Sequence, residues 1–350
     1  MRFALSFEHR DWARGGAANA TLQLAQEADA AGFDAIWVTE DPDGWDAFAL
    51  LGAISQRTER IALGTGVTNP YLRHPNLIAA SVATLDRLAP GRAFLGLGRG
   101  QPEWYEHALG MERGHPVARL EETMRLLRQW WSAGSASIDG EFRVREWKRV
   151  VGPTQMPPIY LAAVGPKALE VAGRHADGVL FSLMSTPTYL QRAIATVRTA
   201  AFAADRDPAQ LRFIADPGIV VTDAPDRFFT SRKRFVANVL ALPGMAAVLE
   251  NPALDVEGIM HRVRAHMRID ELLAAGRAFA DFAEHGDVDA AVAEIPDALV
   301  AAGSMVGPID EIRERIRGYS ALGVTDLMVS RAGLPRSVDG MAEYLDALRH

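Results

Sequence analysis

The hydrophobic positions of the chain form short, continuous apolar runs separated by longer stretches with helical periodicity. Eight runs are predicted to be strands, at residues 3–6, 35–39, 61–67, 93–98, 159–163, 179–182, 219–222 and 326–329. They are apolar throughout rather than at alternate positions, which is typical of parallel strands buried on both faces. Between them, apolar residues recur three and four positions apart, as at Leu120, Met124, Leu127 and Trp131.

The junctions that lead from a helical stretch into a strand resemble one another. Residues 31–38, 175–182 and 322–330 each place a glycine or another small residue first, then an aspartate, then an apolar run. A glycine there supplies the left-handed conformation that ends a helix. Eight such βα units fit a closed barrel better than an open sheet. We therefore predict an α/β protein with a (β/α)8 TIM barrel, formed as one domain by residues 1–350.

Two stretches are longer than the connections of a minimal barrel need to be. Residues 134–158 predict a short hairpin or excursion before the fifth strand. Residues 223–305 are too long for one crossover, and their sequence is typical of several short helices. We interpret them as a helical insertion between strands seven and eight that covers a substrate.

Composition narrows the class of protein. The hydrophobic fraction of 49% is ample for a large core, and the net charge of -7 argues against nucleic-acid binding. No apolar run reaches the length of a membrane span, and the first residues lack a secretory signal. The chain has no cysteine, and its nine histidines include no H-E-x-x-H motif. We expect a cytoplasmic globular protein that binds no metal.

Several common catalytic motifs are absent from the sequence. The segment "GLGRGQ" (96–101) follows the fourth strand and lacks the glycine spacing of a dinucleotide-binding fingerprint. The sequence contains neither a G-x-x-x-x-G-K-[ST] phosphate loop nor a G-x-S-x-G nucleophile elbow. The candidate chemistry gathers instead at the carboxyl ends of the strands, where barrels hold their active sites.

Small residues cluster at several of these strand ends, in "LGTGVTNPYLRHP" (63–75), "LGLGRGQPEWYE" (95–106) and "LAAVGPKALEVAG" (161–173). Without a side chain, glycine lets the main chain lie directly against a flat ring. Backbone N–H groups at the start of a helix can also hold a phosphate. The pattern favours a flavin-like cofactor, although each glycine could instead serve a tight turn.

Five segments carry a family resemblance: "GFDAIWVTED", "ALGTGVTNPYLRHP", "LDRLAPGRAFLGLGRG", "PIYLAAVGPKALEVAGRHADGVL" and "GPIDEIRERIRGYSALGVTDLMV". Over nearly its full length the chain resembles the luciferase-like monooxygenase superfamily. Within that superfamily it is similar to the F420-dependent branch, which includes methylenetetrahydromethanopterin reductase and F420-dependent alcohol and glucose-6-phosphate dehydrogenases. The segment "GTGVTNPYLRHP" favours coenzyme F420 over FMN.

The resemblance implies where a cofactor would bind. Strand three would end in a bulge with a non-prolyl cis peptide behind the deazaflavin ring, here Gly66–Val67. Arg99 and Lys167 would offer positive charge to the anionic tail of the cofactor. The positions that match or neighbour the cofactor contacts of the family are Thr65, Gly66, Val67, Thr68, Asn69, Gly98, Arg99, Gly100, Gln101, Ala163, Val164, Gly165, Pro166, Lys167 and Ser182.

The catalytic residues of the family are only partly matched in this chain. The candidates are Asp41, Trp45, Glu40 and Gln101, with Glu8 as a further carboxylate. Asp41 and Trp45 match a proposed histidine base and an active-site tryptophan of the sugar-phosphate dehydrogenase. Gln101 stands where that enzyme has a glutamate, and an amide cannot act as an acid or a base. Ser6 replaces an acidic residue of the methanopterin reductase.

These observations favour an F420-dependent oxidoreductase that transfers a hydride between a small organic substrate and C5 of the deazaflavin. One alternative is an FMN-dependent monooxygenase that uses reduced flavin and O2. A second is a non-catalytic protein that binds F420 or a flavin, because the expected acid/base pair is incomplete. The resemblance also implies a homodimer, formed through helices two and three of the barrel.

Overall fold

The computed structural model describes residues 1–8, 17–42, 44–277 and 281–350. Its strands are β1 (Arg2–Phe7), β2 (Ala35–Val38), β3 (Ala62–Thr65), β4 (Ala93–Leu97), β5 (Ser135–Asp139), β6 (Arg143–Lys148), β7 (Ile159–Ala162), β8 (Gly178–Leu183), β9 (Arg212–Val221), β10 (Val306–Gly307) and β11 (Asp326–Val329). Eight of them pair in parallel in the order β1-β2-β3-β4-β7-β8-β9-β11, and β11 closes on β1. The predicted (β/α)8 barrel is confirmed.

The helices of the described residues surround this barrel. They are α1 (Ala18–Ala31), α2 (Ala47–Ser55), α3 (Pro75–Leu88), α4 (Pro102–Leu109), α5 (Pro116–Ala133), α6 (Pro166–His175), α7 (Pro187–Ala203), α8 (Asp226–Phe235), α9 (Val256–His266), α10 (Ile269–Ala274), α11 (Phe282–His285), α12 (Val288–Ala293), α13 (Asp297–Gly303), α14 (Ile309–Leu322) and α15 (Val338–Arg349). No helix in the described ranges is long and apolar enough to cross a membrane.

The recurring glycine–aspartate junctions have a structural reason. Gly32 ends α1 and Gly323 ends α14, each with a positive φ in the left-handed region. The aspartates then tie the amino ends of the strands together. A carboxylate oxygen of Asp34 accepts the N–H of Phe3 at 2.9 Å, and one of Asp177 accepts the N–H of Ile159 at 2.6 Å. The third junction differs because α6 ends at Ala176 in an extended conformation.

Aromatic side chains fill the interior of the barrel. The inward-facing cluster consists of Ala4, Ala35, Trp37, Phe94, Tyr160, Ile214 and Met328. The ring centroid of Trp37 lies 4.4 Å from that of Phe94 and 5.6 Å from that of Tyr160. Because this layer closes the middle of the barrel, chemistry is restricted to the opening at the carboxyl ends of the strands. We call this opening the mouth.

Both predicted additions to the barrel are present. β5 and β6 form an antiparallel hairpin before β7, held by stacking of Trp147 on Trp130 at a centroid distance of 4.7 Å. After β9 the chain forms the short helices α8–α13 before β10, which adds to the edge of β9. Residues 278–280 of this insertion lie outside the described residues.

The predicted bounds of the seventh strand were wrong. We expected residues 219–222, whereas β9 begins at Arg212. Pro217 and Gly218, directly before the predicted strand, lie within an irregularity of β9, where its register with β11 shifts. Gly218 has a φ of +57° there. The chain therefore continues through the bend as one strand, as it can where glycine supplies the unusual backbone conformation.

Candidate active site at the barrel mouth

The carboxyl end of β3 continues as a backbone segment that pairs with β4. The Gly66–Val67 peptide is cis, as the resemblance implied. The N–H of Gly66 donates to the carbonyl of Val38 at 2.7 Å, and the N–H of Thr68 donates to that of Gly96 at 3.0 Å. We call residues 65–68 the β3 wall. Its residues Gly66 and Val67 are half-buried, and their main chain borders the mouth.

The two threonines of the β3 wall turn their hydroxyls into the fold. Thr65 is fully buried, and its Oγ1 donates to the carbonyl of Gly96 at 2.6 Å. Thr68 is also fully buried, and its Oγ1 donates to Oε2 of Glu40 at 2.5 Å. Both polar side chains are thus satisfied within the protein. The β3 wall consequently offers main chain and the Val67 side chain to the mouth.

Glu40 is held by an ion-pair network. Nε of Arg73 donates to both carboxylate oxygens of Glu40, at 2.8 and 3.0 Å, and its Nη2 lies 2.7 Å from an oxygen of Asp46. Glu40 is only 7% exposed. We predicted Glu40 as a catalytic candidate, but its carboxylate is engaged by Arg73 and Thr68. This geometry positions the β3 wall.

Asp41 and Trp45, the other candidates after β2, lie at the rim of the mouth. Asp41 is half-buried, and its carbonyl accepts the N–H of Gly44 at 3.1 Å. Trp45 is 9% exposed, and its indole N–H donates to the carbonyl of Thr39 at 2.7 Å. The indole is therefore fixed in place by both burial and a hydrogen bond. Their catalytic roles stay predictions.

Glycines on β4 are explained first by packing within the fold. A Cβ added at Gly96 would clash with the carbonyl oxygen of Thr65, and one at Gly98 would clash with a methyl group of Val67. Gly100 has a φ of +63°, and a Cβ there would lie 2.7 Å from the Tyr105 hydroxyl. Gly96 and Gly98 thus let β4 and the β3 wall approach each other closely, whereas Gly100 makes room for Tyr105. A direct contact of Gly98 or Gly100 with a cofactor stays a prediction.

The side chains around the β4 loop divide into structural and exposed ones. Asn69 is 1% exposed, and its Oδ1 accepts the N–H groups of Tyr71 at 3.1 Å and Leu72 at 3.0 Å, which fixes the loop. Gln101 is half-buried and starts α4 through its carbonyl. Arg99 is exposed, 3.4 Å from Glu103. We predicted all three as cofactor contacts, and Arg99 remains accessible for that role.

The loop after β7 presents an open helix start. Ala163 is buried and Val164 half-buried, whereas Gly165, Pro166 and Lys167 are exposed. A Cβ added at Gly165 would meet nothing within 4 Å, unlike those at Gly96 and Gly98. The main chain of Gly165 is therefore accessible. Ser182 lies half-buried at the end of β8, the next strand around the barrel. The predicted cofactor residues thus follow one arc from β3 through β4 and β7 to β8.

Sequence reasoning missed two polar residues on the opposite side. Asp216 lies in the irregular part of β9, and Arg232 of α8 donates from Nη2 to the carbonyl of Gly218 at 2.9 Å. Burial raises the pKa of Asp216 to about 6. The available sequence signal was the triplet Asp216-Pro217-Gly218, which directly precedes the predicted strand at residues 219–222.

A cavity lies between α7 and the insertion. It has a volume of about 580 Å³ and is lined by residues of α7, α9, α10 and the loop between α8 and α9. Its charged side chains pair with one another, Arg192 with Glu250 at 2.8 Å and Arg264 with Asp270. It contains none of the predicted site residues. Within the described ranges, no three His, Asp or Glu side chains are grouped to hold a metal ion.

Comparison with known proteins identifies the family. The model of the luciferase-like monooxygenases matches residues 1–326. The chain belongs to this family. Methylenetetrahydromethanopterin reductase of Methanolobus tindarius is 30% identical over 313 residues, which cover 89% of each chain. F420-dependent glucose-6-phosphate dehydrogenase of Nakamurella multipartita is 30% identical over 243 residues, 65% of this chain and 71% of the relative.

A solved structure agrees with the fold. The coenzyme F420-dependent tetrahydromethanopterin reductase of Methanopyrus kandleri superposes with a TM-score of 0.76 at 22% identity, covering 97% of this chain and 96% of that one. At this identity the similarity establishes the common fold. The family resemblance drawn from the five sequence segments is confirmed.

Proposed function

We propose that this chain is an F420-dependent oxidoreductase that transfers a hydride between a small organic substrate and C5 of the deazaflavin. The observation that carries the proposal is the β3 wall. Its polar side chains are satisfied within the protein, so half-buried main chain and the Val67 side chain border the mouth. Such a surface suits the face of a flat ring. Relatives named as F420-dependent enzymes support the choice of cofactor.

The rest of the arc fits a cofactor with an anionic tail. Gly165 leaves open space beside the start of α6, where backbone N–H groups favour negative charge. The exposed Lys167 adds positive charge at this helix start. Arg99 does so at the end of β4. We propose that these groups bind the tail of the cofactor and that the β3 wall supports its ring.

When bound, the deazaflavin supplies a carrier of two electrons that accepts or donates a hydride at C5. The protein would align the substrate with that carbon and exclude water. Trp45, fixed by its hydrogen bond to Thr39, would form one side of the substrate pocket. A carboxyl group would take up or release the coupled proton. Asp41 after β2 and Asp216 in the irregular part of β9 are two half-buried candidates for this carboxyl group.

The test is a fluorescence titration of the purified protein with F420 and with FMN, followed by assays with an alcohol, an aldehyde and a pterin. The proposal expects saturable F420 binding and a change of deazaflavin fluorescence with one of the substrates. Strong FMN binding without F420 binding would contradict it and favour the monooxygenase. F420 binding without turnover, unaffected by Asp41→Ala, would favour a non-catalytic binding protein.

We also propose that the protein is a cytoplasmic homodimer. A groove of about 260 Å³ lies between α2 and α3 and is lined by Phe48, Gly52, Leu77, Ala80, Ser81, Thr84, Leu85 and Leu88. Leu77 is 48% exposed and Leu88 45%. Exposed apolar patches of this kind often mark an interface. Light scattering should show a dimer that Leu77→Glu with Leu88→Glu dissociates, whereas Phe202→Glu, at another exposed apolar residue, should leave it intact.

A further inference from the structure

Asp216 lies across the mouth from the β3 wall. Around the eight-stranded barrel, β9 is four strands from β3 in either direction, through β4, β7 and β8 or through β2, β1 and β11. Ile214 belongs to the cluster inside the barrel, and Asp216 lies two residues further along the strand, opposite Leu183 at the end of β8. Asp216 also interacts electrostatically with Glu8, which follows the carboxyl end of β1. Asp216 therefore lies at the mouth, beyond the aromatic layer.

The bend of β9 holds this carboxyl group together with a guanidinium. The N–H of Gly218 donates to Oδ1 of Asp216 at 3.1 Å, and the carbonyl of Gly218 accepts from Nη2 of Arg232 at 2.9 Å. A Cβ at position 218 would clash with the Arg232 guanidinium. Glycine at this position thus makes room for the guanidinium of Arg232, which reaches the bend from α8.

The surroundings set the ionisation of Asp216. Burial is the largest effect on its pKa and raises it, as does the negative charge of Glu8, whereas Arg232 and the Gly218 N–H lower it; together they give a pKa of about 6. These are the charged groups that face Asp216 within the described ranges, Arg232 from α8 and Glu8 from the end of β1. A carboxyl group of this kind changes its protonation near neutral pH, as an efficient general acid or base does.

The other carboxyl candidates are placed differently. Glu40 is engaged by Arg73 and Thr68, and position 101 carries an amide in place of an acid. Asp41 follows β2, which is the direct neighbour of β3. A substrate that stacks on a ring held by the β3 wall would present its other side to β9. Asp216 faces that side.

We propose that Asp216 is the residue that exchanges the coupled proton with the substrate, with Arg232 as its positioning residue. This inference rests on the proposed function. In the oxidative direction, the O–H bond of an alcohol breaks and its proton passes to a carboxylate oxygen of Asp216. The electron pair of the C–H bond leaves as a hydride to the deazaflavin, and a C=O bond forms. In the reductive direction, the protonated Asp216 returns the proton to the oxygen.

The test compares Asp216→Asn, which keeps the shape and removes the ionisation, with Asp310→Asn, a matched change at an exposed carboxylate. The first readout is thermal unfolding of the protein without cofactor between pH 4 and pH 7. Because the folded state binds the proton of Asp216 more tightly than the unfolded state, the wild type loses stability as the pH rises through about 6. The Tm of Asp216→Asn relative to wild type should therefore rise by about 4 °C over this range, and Asp310→Asn should show no such trend.

The second readout separates this inference from the proposed function. Asp216→Asn should bind F420 within about twofold of wild type, because the residue lies opposite the β3 wall. Turnover should fall about 100-fold, and the pH dependence near 6 should disappear. An absent pH trend in Tm, or wild-type turnover in Asp216→Asn, overturns the inference. Failure of the wild type to bind F420 instead overturns the proposed function, and the role of Asp216 falls with it.

Discussion

On the β3 side of the barrel mouth the polar side chains hold the backbone wall in place, whereas on the β9 side two charged side chains gather at a bend of the strand. Thr65 and Thr68 donate hydrogen bonds to groups inside the protein, and Arg73 forms an ion pair with the carboxylate of Glu40. Across the mouth, Asp216 of β9 and Arg232 of α8 both form hydrogen bonds with Gly218 at the bend of β9. The two sides therefore suit different parts of a reaction. One offers a surface for a ring, and the other offers a group that exchanges protons.

The largest expected effect comes from breaking the network behind the β3 wall. Arg73→Met should lower the free energy of unfolding by about 3 kcal/mol, because it leaves the buried Glu40 carboxylate without its cation. Chemical denaturation measures the change. Glu40→Gln is the control, since it removes the charge but keeps a hydrogen-bond acceptor, and it should cost less. Equal stability of Arg73→Met and wild type would show that the network does not support the wall.

A smaller loss is expected where β4 and the β3 wall approach each other. Gly96→Ala should lower the free energy of unfolding by about 2 kcal/mol, because its Cβ would clash with the main-chain carbonyl of Thr65. Gly318→Ala is a matched control in α14, where a Cβ has open space and alanine favours the helix. Urea denaturation of both variants tests this. A tolerated Gly96→Ala would mean that the close approach is unnecessary.

The effects of pH on stability should have opposite signs on the two sides. Burial tends to raise the pKa of Asp46, but hydrogen bonds from Ala49 and Arg73 outweigh it and hold the pKa below its usual value. Its contribution to stability is therefore present above the unfolded pKa and lost as the pH falls through the lower folded one. Asp216 has a raised pKa, so its contribution is lost as the pH rises. Relative to wild type, Asp46→Asn should be less stable at pH 7 than at pH 3, and Asp216→Asn more stable at pH 7 than at pH 4. Matching trends in the two variants would refute the distinction.

The sequence predicted the β3 side better than the β9 side for a physical reason. Glycine-rich strand ends are local signals, so residues 63–75 and 95–106 indicated the backbone segments that the structure places side by side. The role of Glu40 could not be predicted from the sequence, because its partners Arg73 and Thr68 come from a later loop and contact it only in the folded protein. The clash that makes Gly96 necessary is likewise a contact between neighbouring strands.

On the β9 side the same local reasoning failed. The predicted strand at residues 219–222 began only after Pro217 and Gly218, whereas β9 bends at these residues without ending. Arg232 was one arginine among many in a long insertion. Its contact with Gly218 depends on the packing of α8 against the bend, and no periodicity in the sequence specifies that packing. The fold was therefore predictable almost throughout, whereas the polar half of the site required the tertiary structure.

The most direct test of the division between the two sides is the F420 affinity of Gly98→Ala and Asp216→Asn, measured by fluorescence titration against wild type. A Cβ at position 98 would displace Val67 of the β3 wall, whereas Asp216→Asn changes only the opposite side. We predict that Gly98→Ala weakens F420 binding at least about tenfold, equivalent to about 1.4 kcal/mol, while Asp216→Asn stays within about twofold of wild type. Wild-type affinity in Gly98→Ala, together with a large loss in Asp216→Asn, would contradict the account.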